Sequence, residues 1–408
     1  HYKYFQNYRG YLMSNKCVLP WIHTELSTNG KFRPCCLFKD FIKKPDGTHY
    51  SVQNGDSIDD VFKSEYMQKI RQDFLAGKKI RECDACWQVE QSGGVSKRMN
   101  DNKTFNVYNS MLDPKIIYMG IKFGNICNLK CRICGSQSSS KWAQEEMKIY
   151  GSNSDAYHIA KNNLKDGSWP RESTKFWSDI IQVLPAISLM EFTGGEPMMI
   201  QEQFELLKIS KDNGWSKKQK VHYNTNGTHF PKYAIDNIWP FFKHVDIAFS
   251  IDDVGPRFEY QRFGAEWNLV NDNIERFHKA KSKSKNITTQ VCLTINMFNI
   301  FNVENLFKWI STKTFDHVYV NFLHSPKEYC VKYLPLKYKN IITEKLLNYA
   351  GPEQYRNQIQ TFLKFMNETF DETVSVHSKR TQKILLSDKF RQEKFYKIFP
   401  EYKGLIDE

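Results

Sequence analysis

From about residue 113 onward, short apolar runs alternate with longer amphipathic stretches. Six runs read as strands: Ile116 to Phe123, Ser188 to Phe192, Lys220 to Asn224, Val245 to Ser250, Thr288 to Ile295 and His317 to Phe322. Apolar residues at helical spacing predict helices opening at Ser136 and running to Tyr150, then over Thr174 to Leu184, Gln201 to Asp212, Tyr233 to Phe242, Trp267 to Lys281 and Val303 to Ser311. A polar segment, Gly151 to Ser173, reads as an insertion. Strands alternating with helices argue for an α/β fold with a parallel array. Right-handed crossovers would curl it into an open, partial (β/α)6 barrel. Functional sites in such arrays lie at the C-terminal ends of the strands.

The pattern differs on either side of this array. Residues 1–112 read as a small, cysteine-rich α+β module. In it, Asn29-Gly30 between extended segments suggests a hairpin. Asp59 to Ala76 has helical spacing (Val61, Phe62, Met67, Ile70, Phe74), with Gly77 as its stop. Residues 326–408 read as a polar, helical C-terminal extension with scattered aromatics (Tyr333, Tyr338, Tyr349, Phe362, Phe365, Phe370), a cap on the barrel. The expected domains are therefore 1–112, 113–325 and 326–408.

Composition narrows the class. Hydrophobic residues are 40% and aromatics 14% of the 408 residues, which suits a globular chain with a sizeable core. No apolar run reaches the length of a membrane span, and no signal peptide is visible. The net charge of +13 is dispersed, and its local runs, such as Lys279 to Lys285, read as solvated loops. No RNA- or DNA-binding module is recognisable, so nucleic acid is not an expected partner. Ten cysteines are too few for a disulfide scaffold in a chain this long. Most fall in tight clusters, which favours metal ligation in a reducing cytoplasm.

The densest cluster is Cys127, Cys131 and Cys134, spaced C-x3-C-x2-C on the loop after the first strand of the array. A [4Fe–4S] cluster takes cysteine thiolates, usually four, so three close thiols would leave one iron open to a ligand that is not protein. A zinc knuckle lacking its fourth ligand, or buried inert thiols, are the blander readings. A second set, Cys17, Cys35 or Cys36, Cys83 and Cys86, would close a tetrahedral site for structural zinc or a fully ligated iron–sulfur cluster. Cys35 and Cys36 are adjacent and face opposite ways on an extended chain. Only one is expected to ligate; Cys35 is preferred, with Cys36 as its substitute.

Three further motifs end strands. Thr193-Gly194-Gly195-Glu196-Pro197 follows the second strand, and its glycines admit a ligand close to the backbone. Glu196 suits grounding that turn or bonding a ligand amine. Asn226 follows the third strand and Ser250 ends the fourth, with Arg262 in a later polar loop, where a guanidinium suits a carboxylate. Each alone is also an ordinary cap or turn residue.

Taken together, over roughly residues 12–325, these motifs resemble the radical S-adenosylmethionine superfamily, in its branch with SPASM or twitch auxiliary-cluster modules. The resemblance implies that Cys127, Cys131 and Cys134 hold a [4Fe–4S] cluster whose open iron binds the amine and carboxylate of S-adenosylmethionine. One electron then cleaves a carbon–sulfur bond, and the 5′-deoxyadenosyl radical abstracts a substrate hydrogen. It implies that Gly194, Gly195 and Glu196 contact the methionyl amine, Ser250 and Arg262 the carboxylate, and Asn226 the ribose. Cys17, Gly30 and Cys35 are spaced like the family's auxiliary motif, so the resemblance favours a second [4Fe–4S] cluster on Cys17, Cys35, Cys83 and Cys86. Here the module precedes the barrel, whereas in well-known members it follows. An electron donor such as flavodoxin or ferredoxin is an implied partner.

The leading expectation is modification of a peptide or protein side chain. The alternatives are a radical dehydrogenase of a small anionic substrate, such as a sugar or nucleotide-linked metabolite, and a non-catalytic iron–sulfur or zinc protein. No substrate-side acid or base stands out. Tyr223, His222 and His324 read as packing or turn residues, Cys292 as core, and Cys330 has no assigned role.

Overall fold

The computed structural model describes residues 15–91, 93–105, 113–368 and 374–407. Phe370 and the expected boundary at 112 lie outside them. Among the described residues run ten strands: β1 (His23–Leu26), β2 (Phe32–Arg33), β3 (Tyr118–Ile121), β4 (Lys130–Cys131), β5 (Leu189–Phe192), β6 (Lys220–Thr225), β7 (His244–Ser250), β8 (Arg262–Phe263), β9 (Ile287–Ile295) and β10 (His317–Phe322). All six expected runs contain a strand. The chain divides into two compact units, one of His1–Asn125, Asn162–His222 and Phe241–His244, the other of Ile126–Lys161, Tyr223–Pro240 and Val245–Glu408.

In the first unit, β1 runs parallel to β3, pairing His23 with Tyr118 and Glu25 with Gly120. β3 runs parallel to β5, pairing Gly120 with Glu191. β2 closes the hairpin on β1, antiparallel, through the turn at Gly30. The parallel array therefore starts one strand earlier than its apolar runs suggest. β1, His23-Thr24-Glu25-Leu26, alternates polar and apolar too weakly to read as a buried strand, yet all four residues are buried.

One face of these strands (Thr24, Leu26, Met119, Ile121, Met190, Phe192) is buried and largely apolar. Phe123 gathers Trp169, Phe176, Trp177 and Phe192 within 6.0 Å between ring centroids. Trp169 is 1% exposed. The stretch read as a polar insertion thus forms helices Asp155–Asp166 and Trp169–Glu172, and its tryptophan belongs to the core. The expected helix from Asp59 to Ala76 is two, Ile58–Lys63 and Glu65–Leu75. Ser64 breaks the chain with ψ 154° and caps the second helix by accepting from the Met67 N–H.

In the second unit, β7, β9 and β10 are parallel neighbours. β9 alternates strictly, burying Ile287, Thr289, Val291, Leu293 and Ile295. Cys292 lies on the other, half-buried face, where Asn321 Nδ2 donates to its sulfur at 3.4 Å. It is not core, because strand alternation overrides the burial preference of a thiol. Helices Leu336–Leu347, Arg356–Asn367 and Val374–Arg391 form the C-terminal region. The mixed α/β class with parallel strands expected from the sequence is present. No helix among the described residues is long and apolar enough to cross a membrane.

Candidate functional site: two sets of thiols

The three-thiol loop lies in the second unit. Its residues Lys130–Cys131 form β4, which pairs antiparallel with β8 and sets Cys131 opposite Arg262. Arg262 Nη1 donates to Cys131 Sγ at 3.8 Å, and Nη2 is anchored on Asp252 Oδ2 at 2.6 Å. Asp252 in turn accepts from the Thr294 N–H at 2.9 Å, so the guanidinium is fixed from β9. Arg262 Nε is buried and has no hydrogen-bond partner.

Cys127 Sγ accepts from the Leu129 N–H at 3.5 Å and faces Asn226 Nδ2 at 4.0 Å. Asn226 also donates to Asn128 Oδ1 at 3.0 Å and accepts from the Thr228 N–H at 2.9 Å, tying the end of β6 to the loop. Ser250 ends β7, in register with Cys292 on β9.

A hydrogen bond from Cys134 draws the Cys131 thiol down to about 7; burial opposes the shift and Arg262 assists it. The shared proton stays with exposed Cys134, whose thiol is held well above its ordinary value by the same bond. A thiol that ionises near neutrality, with N–H and guanidinium groups turned to the sulfurs, fits ligation of an electron-withdrawing metal group.

The residues between the thiols are held from the C-terminal region. Arg132 is 3% exposed and donates through Nη2 to Asp388 and Glu393, both at 2.6 Å. Its guanidinium carbon lies 3.6 Å from the centre of the Tyr260 ring, and the Tyr260 hydroxyl donates to Asp388 at 2.7 Å. Arg391 donates to Glu145 at 2.7 Å, and Lys130 meets the same carboxylate. Trp142 Nε1 donates to the Cys131 carbonyl at 2.6 Å. The sequence reading missed this brace. Arginine and lysine between the cysteines were a signal, but Arg132 finds Asp388 256 positions away, and Glu145, the partner of Lys130, is shared with Arg391 at a separation of 246.

The second set of thiols lies in the first unit. Cys17 precedes the helix Leu19–Ile22, Cys35 follows β2, Cys83 ends the turn Arg81–Cys83, and Cys86 sits in the helix Asp84–Gln91. Cys35 lies within electrostatic range of Cys17, Cys83 and Cys86. Adjacent Cys36 instead senses Lys97, Glu25, Glu191 and Lys122. Burial pushes all four thiols of the set up, Cys83 to about 12. Without an added positive charge they stay protonated.

Tetrahedral zinc would hold its thiolates roughly 3.8 Å apart, from a Zn–S bond near 2.3 Å. Among the described residues, no three Cys, His, Asp or Glu side chains close up to an ion's ligand set.

The glycine turn is also in the first unit. Gly194 and Gly195 both have left-handed backbones, φ +76° and +58°. A Cβ at Gly194 would meet the Lys122 stem at 2.8 Å, so only glycine fits. Glu196 is fully buried and caps its own turn, accepting from the Met198 N–H at 3.0 Å.

Residues 17–87 match the model of SPASM, an iron–sulfur cluster-binding domain. That stretch contains Cys17, Cys35, Cys36, Cys83 and Cys86. A search of curated proteins found no match. Among solved structures, the chain is similar to native anSMEcpe with bound AdoMet and Cp18Cys peptide, at 16% identity and TM-score 0.37, covering 59% of this chain and 62% of that one. It is also similar to Streptococcus suis SuiB bound to S-adenosylmethionine, at 12% identity and TM-score 0.35, covering 66% of this chain and 58% of that one. The chain thus spans about 60% of the length of these structures.

Proposed function

We propose that this chain is a radical S-adenosylmethionine enzyme with one auxiliary cluster, acting on a side chain of a peptide or protein. The observation that carries the reading is the three-thiol loop, where Leu129 N–H, Asn226 and Arg262 face the sulfurs and Cys131 ionises near neutrality. A [4Fe–4S] cluster held by Cys127, Cys131 and Cys134 supplies, when bound, the single electron that cleaves S-adenosylmethionine.

The chain's own residues then have separable tasks. Arg262, fixed by Asp252, presents its partnerless Nε to a carboxylate and its Nη1 to Cys131. Ser250 keeps the carboxylate role the resemblance gives it. Gly194, Gly195 and Glu196 keep the amine; the carbonyls of a left-handed glycine pair suit an ammonium donor. Asn226 is committed to Asn128 and Thr228, so we assign it to holding the Cys127 loop in place of a ribose. Cys17, Cys35, Cys83 and Cys86 hold the auxiliary cluster; the match of residues 17–87 to an iron–sulfur domain supports that over zinc.

The test is iron, sulfide and zinc content of protein reconstituted without oxygen, with Mössbauer spectra before and after S-adenosylmethionine. About eight irons, one site changing on addition, is the expected result. About four irons with one zinc would make the first region structural. No iron would overturn the proposal.

A further inference from the structure

One arginine of the first unit has no task so far. Arg33 ends β2, half-buried, and the antiparallel register sets it directly opposite Glu25 on β1. The Glu25 carboxylate turns away from it. It accepts from Lys122 Nζ at 2.8 Å and leans over Gly120, 3.3 Å from where a Cβ would stand. Arg33 lies instead on the ring of Phe41, its guanidinium carbon 4.3 Å from the ring centre. Its Nε is buried and has no hydrogen-bond partner. Lys31, two residues earlier and so on the same side of the extended chain, brings its Nζ to 5.4 Å from the same ring centre. His49 completes the group, edge-on to Phe41 with centroids 5.4 Å apart.

The charges around this ring do not balance. Glu25 is held by Lys122, Asp40 by Lys43 at 2.6 Å and Asp56 by Lys44 at 2.7 Å. Asp46 caps its own turn, accepting from the Thr48 N–H at 2.9 Å. Farther along the face of β1, β3 and β5, Lys97 stands between Glu191 and Asp101, at 3.8 and 3.4 Å. Among these groups Lys31 and Arg33 are the two cations left without a carboxylate. Like charges gathered on one ring repel each other, and a half-exposed ring attracts a cation only weakly. An anion set between them would remove that repulsion.

The shape and charge of the site name the anion. A guanidinium presents paired N–H groups in one plane, a fork that fits the two oxygens of a carboxylate. A phosphate would bring about −1.5 to −2 charges towards Glu25 on the facing strand, where a carboxylate brings a single one. Lys122 lies within electrostatic range of Arg33, and the Lys122 stem packs under Gly194, so the free cation borders the approach to the glycine turn. We propose that Arg33, with Lys31 beside it on Phe41, binds the carboxylate of an acidic side chain in the peptide substrate, and so selects peptides that carry Asp or Glu. This rests on the peptide reading above and names the feature of the peptide that would be recognised.

The experiment uses the full chain, reconstituted with its clusters, and two variants, R33Q and R33K. Neither takes a lysine from a carboxylate, so no buried charge is orphaned. A random octapeptide library is selected on the wild type, and each enriched peptide is remade with Gln or Asn in place of Glu or Asp. The enriched peptides are expected to carry an acidic residue, and its replacement to weaken binding to the wild type about tenfold. R33Q should bind both forms equally, and R33K, which keeps the charge but not the fork, should retain part of the preference. Enriched peptides without an acidic residue, or a preference undiminished in R33Q, would overturn the proposal. Should R33Q fail to fold, a preference undiminished in R33K would do the same, as would displacement of the peptide by millimolar inorganic phosphate. Binding of neutral peptides sinks this inference and leaves the peptide reading; no bound peptide sinks both. Cleavage of S-adenosylmethionine, assayed separately on the same wild-type protein, tells either failure from failure of the radical reading.

Discussion

The two sets of thiols answer the same problem, holding sulfur close to sulfur, in opposite ways. Cys127, Cys131 and Cys134 come from one loop, and their partners are polar: Arg262 and Asn226 face the sulfurs, and Cys131 is drawn down to about 7. Cys17, Cys35, Cys83 and Cys86 come from four separate turns and helices, and burial drives every one of them up. The first set has three sulfurs, one of them on an exposed Cys134. The second has four sulfurs, and burial keeps them protonated unless a positive charge is added. The difference teaches that reactivity and structure ask different electrostatics of the same side chain.

The sharpest way to break this comparison is Cys131→Ala. It is expected to abolish formation of 5′-deoxyadenosine and to take the iron content from about eight to about four per chain. Retained cleavage would end the assignment of the loop. Cys17→Ala should do the reverse, losing about four irons while cleavage of S-adenosylmethionine without substrate turnover continues; electron paramagnetic resonance of the reduced protein separates the two. If both variants lost all iron, the sets would not be independent.

Asp388→Asn tests the brace behind the loop. It leaves Glu393 as the anion on the buried Arg132 guanidinium, so the loss stays below about 3–5 kcal/mol, the cost of removing the sole partner of a buried charge. Denaturant titration should register it, and an unchanged midpoint would show that Glu393 alone suffices. Asp253→Asn is the mildest change. Asp253 is fully buried, and burial raises its carboxyl to about 7 against hydrogen bonds from Asn302 and the Val254 N–H. The folded chain therefore holds that proton more tightly than the unfolded one. The stability it contributes is complete below about pH 4 and is lost as pH rises to about 7. Between pH 5 and 8 the wild type should lose on the order of a few kcal/mol more than the variant, read from melting curves across that range.

Local signals were strong where chemistry and secondary structure share a short span. The C-x3-C-x2-C loop, the paired glycines and all six expected strand runs were legible, because ligand spacing and strand period are written within a dozen residues. β1 was not: His23 and Glu25 look like surface residues until β3 pairs beside them and Lys122 meets Glu25. The break at Ser64 was hidden because the apolar period continues across it. Cys292 was misplaced because a thiol's average burial was weighed above the phase of its strand.

By itself, the sequence determined how the thiols are spaced along the chain, and the α/β alternation that carries them. Both follow from residue type and spacing along a chain of fixed geometry. Only the tertiary structure decided which thiols keep company. Cys35 joins Cys17, Cys83 and Cys86, while Cys36 turns to Lys97 and Glu191. It alone decided that Asp388 braces Arg132 and that Arg262 faces Cys131. Those pairings join residues more than a hundred positions apart, and burial, which sets the charge state of each thiol, exists only once the chain has closed around it.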